Sequence, residues 1–229
     1  MCFSAGASFV GGAVITAIGV MTVRTNRDPS RRLFAAIPLI FGVQQISEGF
    51  VWVALQSPGH DLMLNISMYI FLIAALIVWP SVLPLSVLAM EKVKSRRLAL
   101  YFFLIVGLLV SVYYVLSLLV SDVDPRIISH HIKYAPEFPR PLALPVFIAY
   151  LIATLTPLFI SSVRKMWMFG LLVAASCLIT GIFFKEYLAS VWCFFEALIS
   201  AVIWLIVRME RLTVTETPPR QAAPSFHTP

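Results

Sequence analysis

The stretch GVQQISEGFVW, residues 42–52, places two amides, a hydroxyl and a carboxylate inside a long apolar run. An ionisable side chain in the hydrocarbon core of a bilayer is costly, so by default it marks a site. On a helix, Gln44 or Gln45, Glu48 and Trp52 recur at three- and four-residue spacing and therefore share one face. The pattern predicts a binding site centred on Glu48.

The composition around this stretch is typical of a membrane protein. Hydrophobic residues make up 60% of the 229 residues and charged residues 12%, with a mean hydropathy of +0.92. Soluble domains are nearer half apolar and a quarter charged. The net charge of +6 lies in short clusters between apolar runs, and not on a basic face interleaved with aromatics. We therefore expect a lipid bilayer, and not nucleic acid, as the partner.

Seven apolar runs, each near the roughly 20 residues that cross a bilayer, predict an all-α bundle of seven transmembrane helices. Asp28-Pro29 predicts the N-cap and first position of the second helix. Trp79-Pro80 and Pro84 should kink the third span or end it early. We expect one membrane domain, 1–208, a polar outer loop at 121–143 and a disordered cytoplasmic tail, 209–229. The spans are predicted at about 4–23, 29–56, 62–89, 98–120, 144–163, 166–184 and 187–208.

Lysine and arginine distinguish the two sides of the membrane. Four of the 17 lie in the 57–61, 121–143 and 185–186 connections. The other 13 lie in the alternate connections, at the end of the last span and in the tail. Because positive charge collects on the cytoplasmic side, the N-terminus is predicted outside and the C-terminus inside a plasma (inner) membrane.

This orientation brings a second carboxylate to the level of the first. At 1.5 Å per residue, Glu48 lies about 12 Å below the outer end of its helix, and Glu196 lies about 13 Å below the outer start of the last one. Trp192 lies one turn from Glu196. We expect an outward-facing polar cavity around the Glu48 and Glu196 pair, which binds or transports a proton, a cation or a small polar ligand.

Two other interpretations of these residues stay open. Cys2, His130 and His131 are predicted at the same outer side, and together with Glu48 they form a ligand set for zinc or copper. The chain would then be a membrane metalloprotein, and whether it is an enzyme stays open. Alternatively, the carboxylates join helices as protonated hydrogen-bond partners in a structural or partner-binding protein.

The opening residues MCFSA, 1–5, together with residues 42–45 and 48–52, resemble a family of short bacterial multi-pass membrane proteins of unknown function. The likeness covers the membrane domain to about residue 208. It implies that Cys2, Gln45, Glu48 and Trp52 are signature positions, and it implies no activity. Retinal proteins fit less well, because no lysine lies within the last span, and no phosphate loop or nucleophile elbow is present.

Overall fold

A computed structural model describes residues 4–57, 59–128, 131–136, 140–183 and 188–215. Side chains are described in these ranges except at 135–136, 140–141, 183, 188–194, 196 and 210–215. Within them the chain forms seven helices and one antiparallel hairpin, so the predicted helical class is confirmed. The helices are α1 Ala5–Thr25, α2 Pro29–Gln56, α3 Asp61–Met90, α4 Lys94–Val120, α5 Arg140–Ile160, α6 Met166–Phe183 and α7 Leu188–Thr215, and the strands are β1 Val123–Ile128 and β2 His131–Pro136.

The start of α2 follows from its sequence. The Asp28 carboxylate accepts a hydrogen bond from the Ser30 backbone N–H at 2.9 Å, and Pro29 fills the next position, where no N–H is needed. The helix then runs to Gln56, as the sequence predicts, and ends before the turn at Gly59, whose φ of +85° suits glycine.

Small residues bring α1 and α2 together. A Cβ added to Gly12 would lie 2.6 Å from Cγ1 of Ile46, and one added to Gly42 would overlap the Thr16 hydroxyl. These positions need glycine because the two backbones approach closely. α1 packs against α2 on one side and α7 on the other, and α2 also contacts α7. The polar stretch of α2 therefore lies where three helices meet.

α3 does not end at its prolines, and that part of the prediction is wrong. Pro80 has no N–H, and its ring crowds the carbonyl four residues earlier. The helix accommodates this with a wider π-helical turn over Ile73–Val78, in which the Trp79 N–H bonds to the Ala74 carbonyl. Neighbouring helices bond to this turn: the Tyr150 hydroxyl donates to the Ala75 carbonyl and the Ser111 hydroxyl to the Ile77 carbonyl, both at 2.8 Å.

The C-terminal end of α3 is fixed by Glu91, which caps the helix. Its carboxylate accepts from the Lys92 and Val93 backbone N–H groups at 3.0 and 2.9 Å. It also accepts from the Ser162 backbone N–H and hydroxyl at 2.7 and 2.5 Å. This cluster, which we call the Glu91 clamp, ties the α3–α4 connection to the α5–α6 connection.

The polar segment 121–143, predicted as a loop, contains the β1–β2 hairpin, in which Val123 pairs with Pro136 and Ile128 with His131. Ile132 is fully buried beside Trp52 and Phe71, and the Tyr134 ring stacks on Phe71 with centroids 4.8 Å apart. The hairpin therefore packs on α2, α3 and α4, and β2 also contacts α7. Its four flanking and internal prolines hide it in the sequence, because proline is uncommon in strands.

Two helix boundaries also differ from prediction. α5 spans Arg140–Ile160 and not 144–163, since Ser161 and Ser162 belong to the α5–α6 connection. α7 continues to Thr215, past the predicted start of the tail at Met209, because good helix formers follow and the first proline comes only at Pro218. The rest of that tail, 216–229, lies outside the described residues.

Five of the described helices, α1 to α5, are long and apolar enough to cross a membrane. α6 and α7 contain shorter described apolar runs, Met166–Ile182 and Ala197–Met209. Many large apolar side chains are exposed on the outside of the bundle, for example Leu98 and Leu119, which are 75% and 76% exposed. These features indicate a membrane protein.

Candidate functional site

Glu48 is fully buried, with 0% of its surface exposed, in the part of α2 that faces other helices. The Gln45 side-chain N–H donates to one Glu48 carboxylate oxygen, Oε2, at 3.3 Å. Gln45 is also fully buried, and Ser47 bonds back to the carbonyl of Gln44 in its own helix. The sequence therefore identified a buried polar group correctly, and Gln45 is one of its hydrogen-bond partners.

Gln44 contacts a different part of the protein. Its side-chain oxygen accepts a hydrogen bond from the Trp79 indole N–H at 2.8 Å. The Phe41 ring lies against Trp79, with centroids 4.2 Å apart. The two adjacent amides therefore have different partners. Gln45 donates to Glu48, whereas Gln44 links α2 to Trp79, the residue that follows the π-helical turn of α3.

A cavity of about 100 Å³ lies beside the Gln44–Trp79 pair, lined by residues from α2 to α7. Its wall is mainly apolar. Apart from the aromatic residues, its polar side chains are Gln44 and Thr154. Among the described residues, Glu48 does not line it, although we expected a polar cavity around that carboxylate. The aromatic lining consists of Phe41, Trp79, Tyr114, Phe147, Tyr150 and Phe169.

The position of Glu48 relative to this cavity follows from helix periodicity. The α2 residues in the wall are Ile37, Phe41 and Gln44, a series at four- and three-residue spacing whose next member is Glu48. Glu48 therefore lies one turn beyond the cavity on the same stripe. On α7, Ile199 lines the cavity and Glu196 lies three residues earlier in the chain.

The predicted seven-span topology has α2 and α7 running in opposite directions, which would bring Glu48 and Glu196 to the same side of the cavity. Both residues would then be displaced by one turn toward the α2–α3 connection. The side chains of Glu196 and Trp192 lie outside the described residues, so their predicted place in the site stays a prediction.

Trp52 lies one turn beyond Glu48 and is only 3% exposed. It packs with Val51, Met68 and Phe71 beneath the hairpin. Among the described residues its indole N–H has no hydrogen-bond partner. It is therefore an internal residue of the bundle and not a lipid-facing aromatic of the membrane interface.

The predicted zinc or copper site falls mostly beyond the described part of the chain. Cys2 and His130 lie outside it, and His131 begins β2, where it pairs with Ile128. The described residues contain no group of three or more His, Cys, Asp and Glu side chains arranged to hold a metal ion. That search does not reach Cys2 or His130, so the metal site stays a prediction.

Sequence reasoning missed Trp79, Phe41 and Thr154 as site residues. Trp79-Pro80 was interpreted solely as a helix breaker. A signal was present, however, because a tryptophan deep in an apolar run needs an acceptor for its N–H. The glutamine amides of α2 were the available acceptors at that depth.

A family model described as a family of unknown function, DUF6629, matches residues 1–218, and the chain belongs to that family. The expected membership in an uncharacterised family is thus confirmed. No curated protein and no solved structure matches the chain.

Proposed function

We propose that this member of DUF6629 is a seven-span protein of the bacterial plasma (inner) membrane that binds a small ligand between its helices. The ligand occupies the aromatic cavity beside Gln44, and the carboxylates of Glu48 and Glu196 supply the charged end of the site. The same site can bind or transport a cation or a proton, as expected for paired carboxylates within a membrane. The observation that carries the proposal is the cavity itself, one turn from Glu48.

The topology rests on apolar length and charge. α1 to α5 are long enough to span, and short connections lead into and out of α6 and α7. With seven spans, the connections rich in lysine and arginine all fall on one side. The positive-inside rule then favours an outer N-terminus and a cytoplasmic C-terminus. A reporter that is active only in the cytoplasm should be active after residue 215 and inactive when inserted in the hairpin turn.

A void within a helix bundle supports binding rather than simple helix adhesion. Protein interiors are packed to crystal density, and an unfilled cavity lowers stability in proportion to its volume. This cavity also adjoins the π-helical turn of α3, a feature that is frequent at functional sites. Membrane-embedded binding sites are commonly built at such irregular helices, near the middle of the bilayer. Gln44 lies at about that depth, roughly 18 Å from the end of α2.

The test fills the cavity and asks whether a bound molecule is lost. Val173 is buried in the cavity wall on α6, whereas Leu178 on the same helix is 64% exposed. Val173→Phe should fill the void, and Leu178→Phe adds a ring on the outside as the matched control. Native mass spectrometry of the protein purified in mild detergent should find a small molecule on the wild type and on Leu178→Phe, but not on Val173→Phe. Equal occupancy of all three proteins would refute the proposal.

A further inference from the structure

Three hydrogen-bond donors of the cavity wall are already used inside the protein. The Trp79 indole N–H donates to the Gln44 side-chain oxygen at 2.8 Å, and the Tyr150 hydroxyl donates to the Ala75 carbonyl at 2.8 Å. The Thr154 hydroxyl is bonded to the Tyr150 carbonyl at 2.8 Å. Each hydroxyl oxygen retains lone pairs that accept further bonds. These groups therefore present acceptors to a guest, and a guest that itself donates will match them best.

The aromatic rings favour the same kind of guest. Six aromatic side chains line a cavity of about 100 Å³. An apolar cavity of roughly 150 Å³ binds a single benzene ring, so this smaller cavity holds at most one ring and nothing bulkier. The faces of Trp and Tyr rings attract cations, and more strongly where water is excluded. A wall of this composition disfavours an anion, which would meet ring faces and acceptor oxygens.

The carboxylate supplies the remaining part of the match. Glu48 is the next residue on the α2 stripe that lines the cavity, so its backbone lies about 6 Å beyond that of Gln44. A two- or three-carbon linker covers roughly one helical turn. A ring inside the cavity and an ammonium group at Glu48 would therefore be joined by a linker of that length.

We propose that the cavity binds a compact aryl-alkyl ammonium compound, with its ring among Phe41, Trp79 and Tyr150 and its ammonium group at Glu48. This inference rests on the proposed function and names the class of its ligand. Binding combines burial of the ring, ring–cation attraction and an ion pair with the carboxylate. The bilayer supplies the apolar phase through which such an amphiphilic compound reaches the bundle.

The test compares three probes of similar shape and different charge at pH 7: 2-phenylethylamine, 2-phenylethanol and 3-phenylpropanoate. Equilibrium dialysis on full-length protein in nanodiscs should show the amine bound at least ~10-fold more tightly than the alcohol, and the anion more weakly than either. That factor corresponds to about 1.4 kcal/mol. Equal affinities for the three probes, or preference for the anion, would overturn the inference.

Variants of Glu48 locate the charge that sets this preference. Glu48→Gln should reduce the preference for the amine over the alcohol to ~3-fold or less, with unchanged affinity for the alcohol. Glu48→Asp keeps the charge and should keep the preference. A preference that survives Glu48→Gln would overturn the assignment of the ammonium group to this residue.

Val173→Phe separates a failure of the ligand class from a failure of the proposed function. Val173→Phe should abolish binding of the amine and the alcohol alike. If binding depends on Val173 without a preference for positive charge, only the ligand class is wrong. If none of the three probes binds the wild type, the ligand class is again overturned, and the occupancy of Val173→Phe by a co-purified molecule decides the proposed function alone.

Discussion

Glu48 and Glu91 are both buried glutamates, with 0% and 2% of their surface exposed, and they are held in different ways. Glu91 accepts four hydrogen bonds, three of them from backbone N–H groups, and two of the four come from Ser162, 71 residues away. The described donor to Glu48 is the side-chain amide of Gln45, from its own helix, at 3.3 Å. The Glu91 clamp is thus part of the scaffold, whereas the Gln45 amide beside Glu48 belongs to a side chain that can reorient.

The electrostatics of Glu91 agree with this contrast. Burial by itself raises the pKa of a carboxyl group, because it disfavours the charged form. At Glu91 the hydrogen bonds from the Ser162 side chain and from the Ser162, Val93 and Lys92 backbones outweigh burial and lower the pKa below its ordinary value of 4.5. The protein therefore stabilises the ionised form of this residue, as a structural anion requires.

The largest effect is expected from Glu91→Ala. The change leaves the backbone N–H groups of Lys92, Val93 and Ser162 without their acceptor and separates the α3–α4 connection from the α5–α6 connection. Since each buried unsatisfied group costs about 1–3 kcal/mol, the free energy of unfolding should fall by about 3 kcal/mol. Thermal unfolding in detergent measures it, with the exposed Asp122→Ala as control. A loss no larger than that of the control would mean that the clamp does not hold the bundle.

The second prediction concerns pH. Because the pKa of Glu91 is lower in the folded than in the unfolded protein, its contribution to stability is fully present above the unfolded value of about 4.5. That contribution is lost as the pH falls through the lowered folded value. The unfolding temperature of the wild type should therefore fall more steeply below pH 4.5 than that of Glu91→Gln. Parallel curves for the two proteins would argue against an ionised Glu91 in the folded state.

Unlike Glu91→Ala, Glu48→Gln should change the free energy of unfolding by less than about 1 kcal/mol. Glutamine has nearly the same shape, and its side-chain oxygen can still accept from Gln45. Binding of a charged ligand should change while the unfolding temperature stays near that of the wild type. If Glu48→Gln instead destabilises the protein as much as Glu91→Ala, Glu48 joins helices and the structural interpretation of the carboxylate is preferred.

The contrast between the two glutamates also explains what the sequence could predict. Glu48 is conspicuous because it interrupts an apolar run, whereas Glu91 lies among Lys92, Lys94 and Arg96 and resembles a solvated loop charge. The bounds of α2 were predictable because capping residues flank it. The cavity was not, since aromatic residues in an apolar run carry no distinctive pattern, and which helix each ring faces depends on tertiary packing. The divergence of Gln44 and Gln45 depends on the same packing.

A similarly small effect is expected at a pair of tryptophans that repeats this contrast with neutral groups. Trp79 donates to Gln44 at 2.8 Å, whereas the buried Trp52 N–H has no acceptor among the described residues. Trp79→Phe removes a hydrogen bond and leaves the Gln44 oxygen in an apolar wall, so it should cost about 1 kcal/mol more than the same change at Trp52. Both changes delete comparable ring volume, so each is the packing control for the other. Thermal unfolding of the two variants measures the difference. Equal losses would show that the Gln44–Trp79 bond adds nothing to the stability of the cavity wall, and the contrast would then hold only for charged groups.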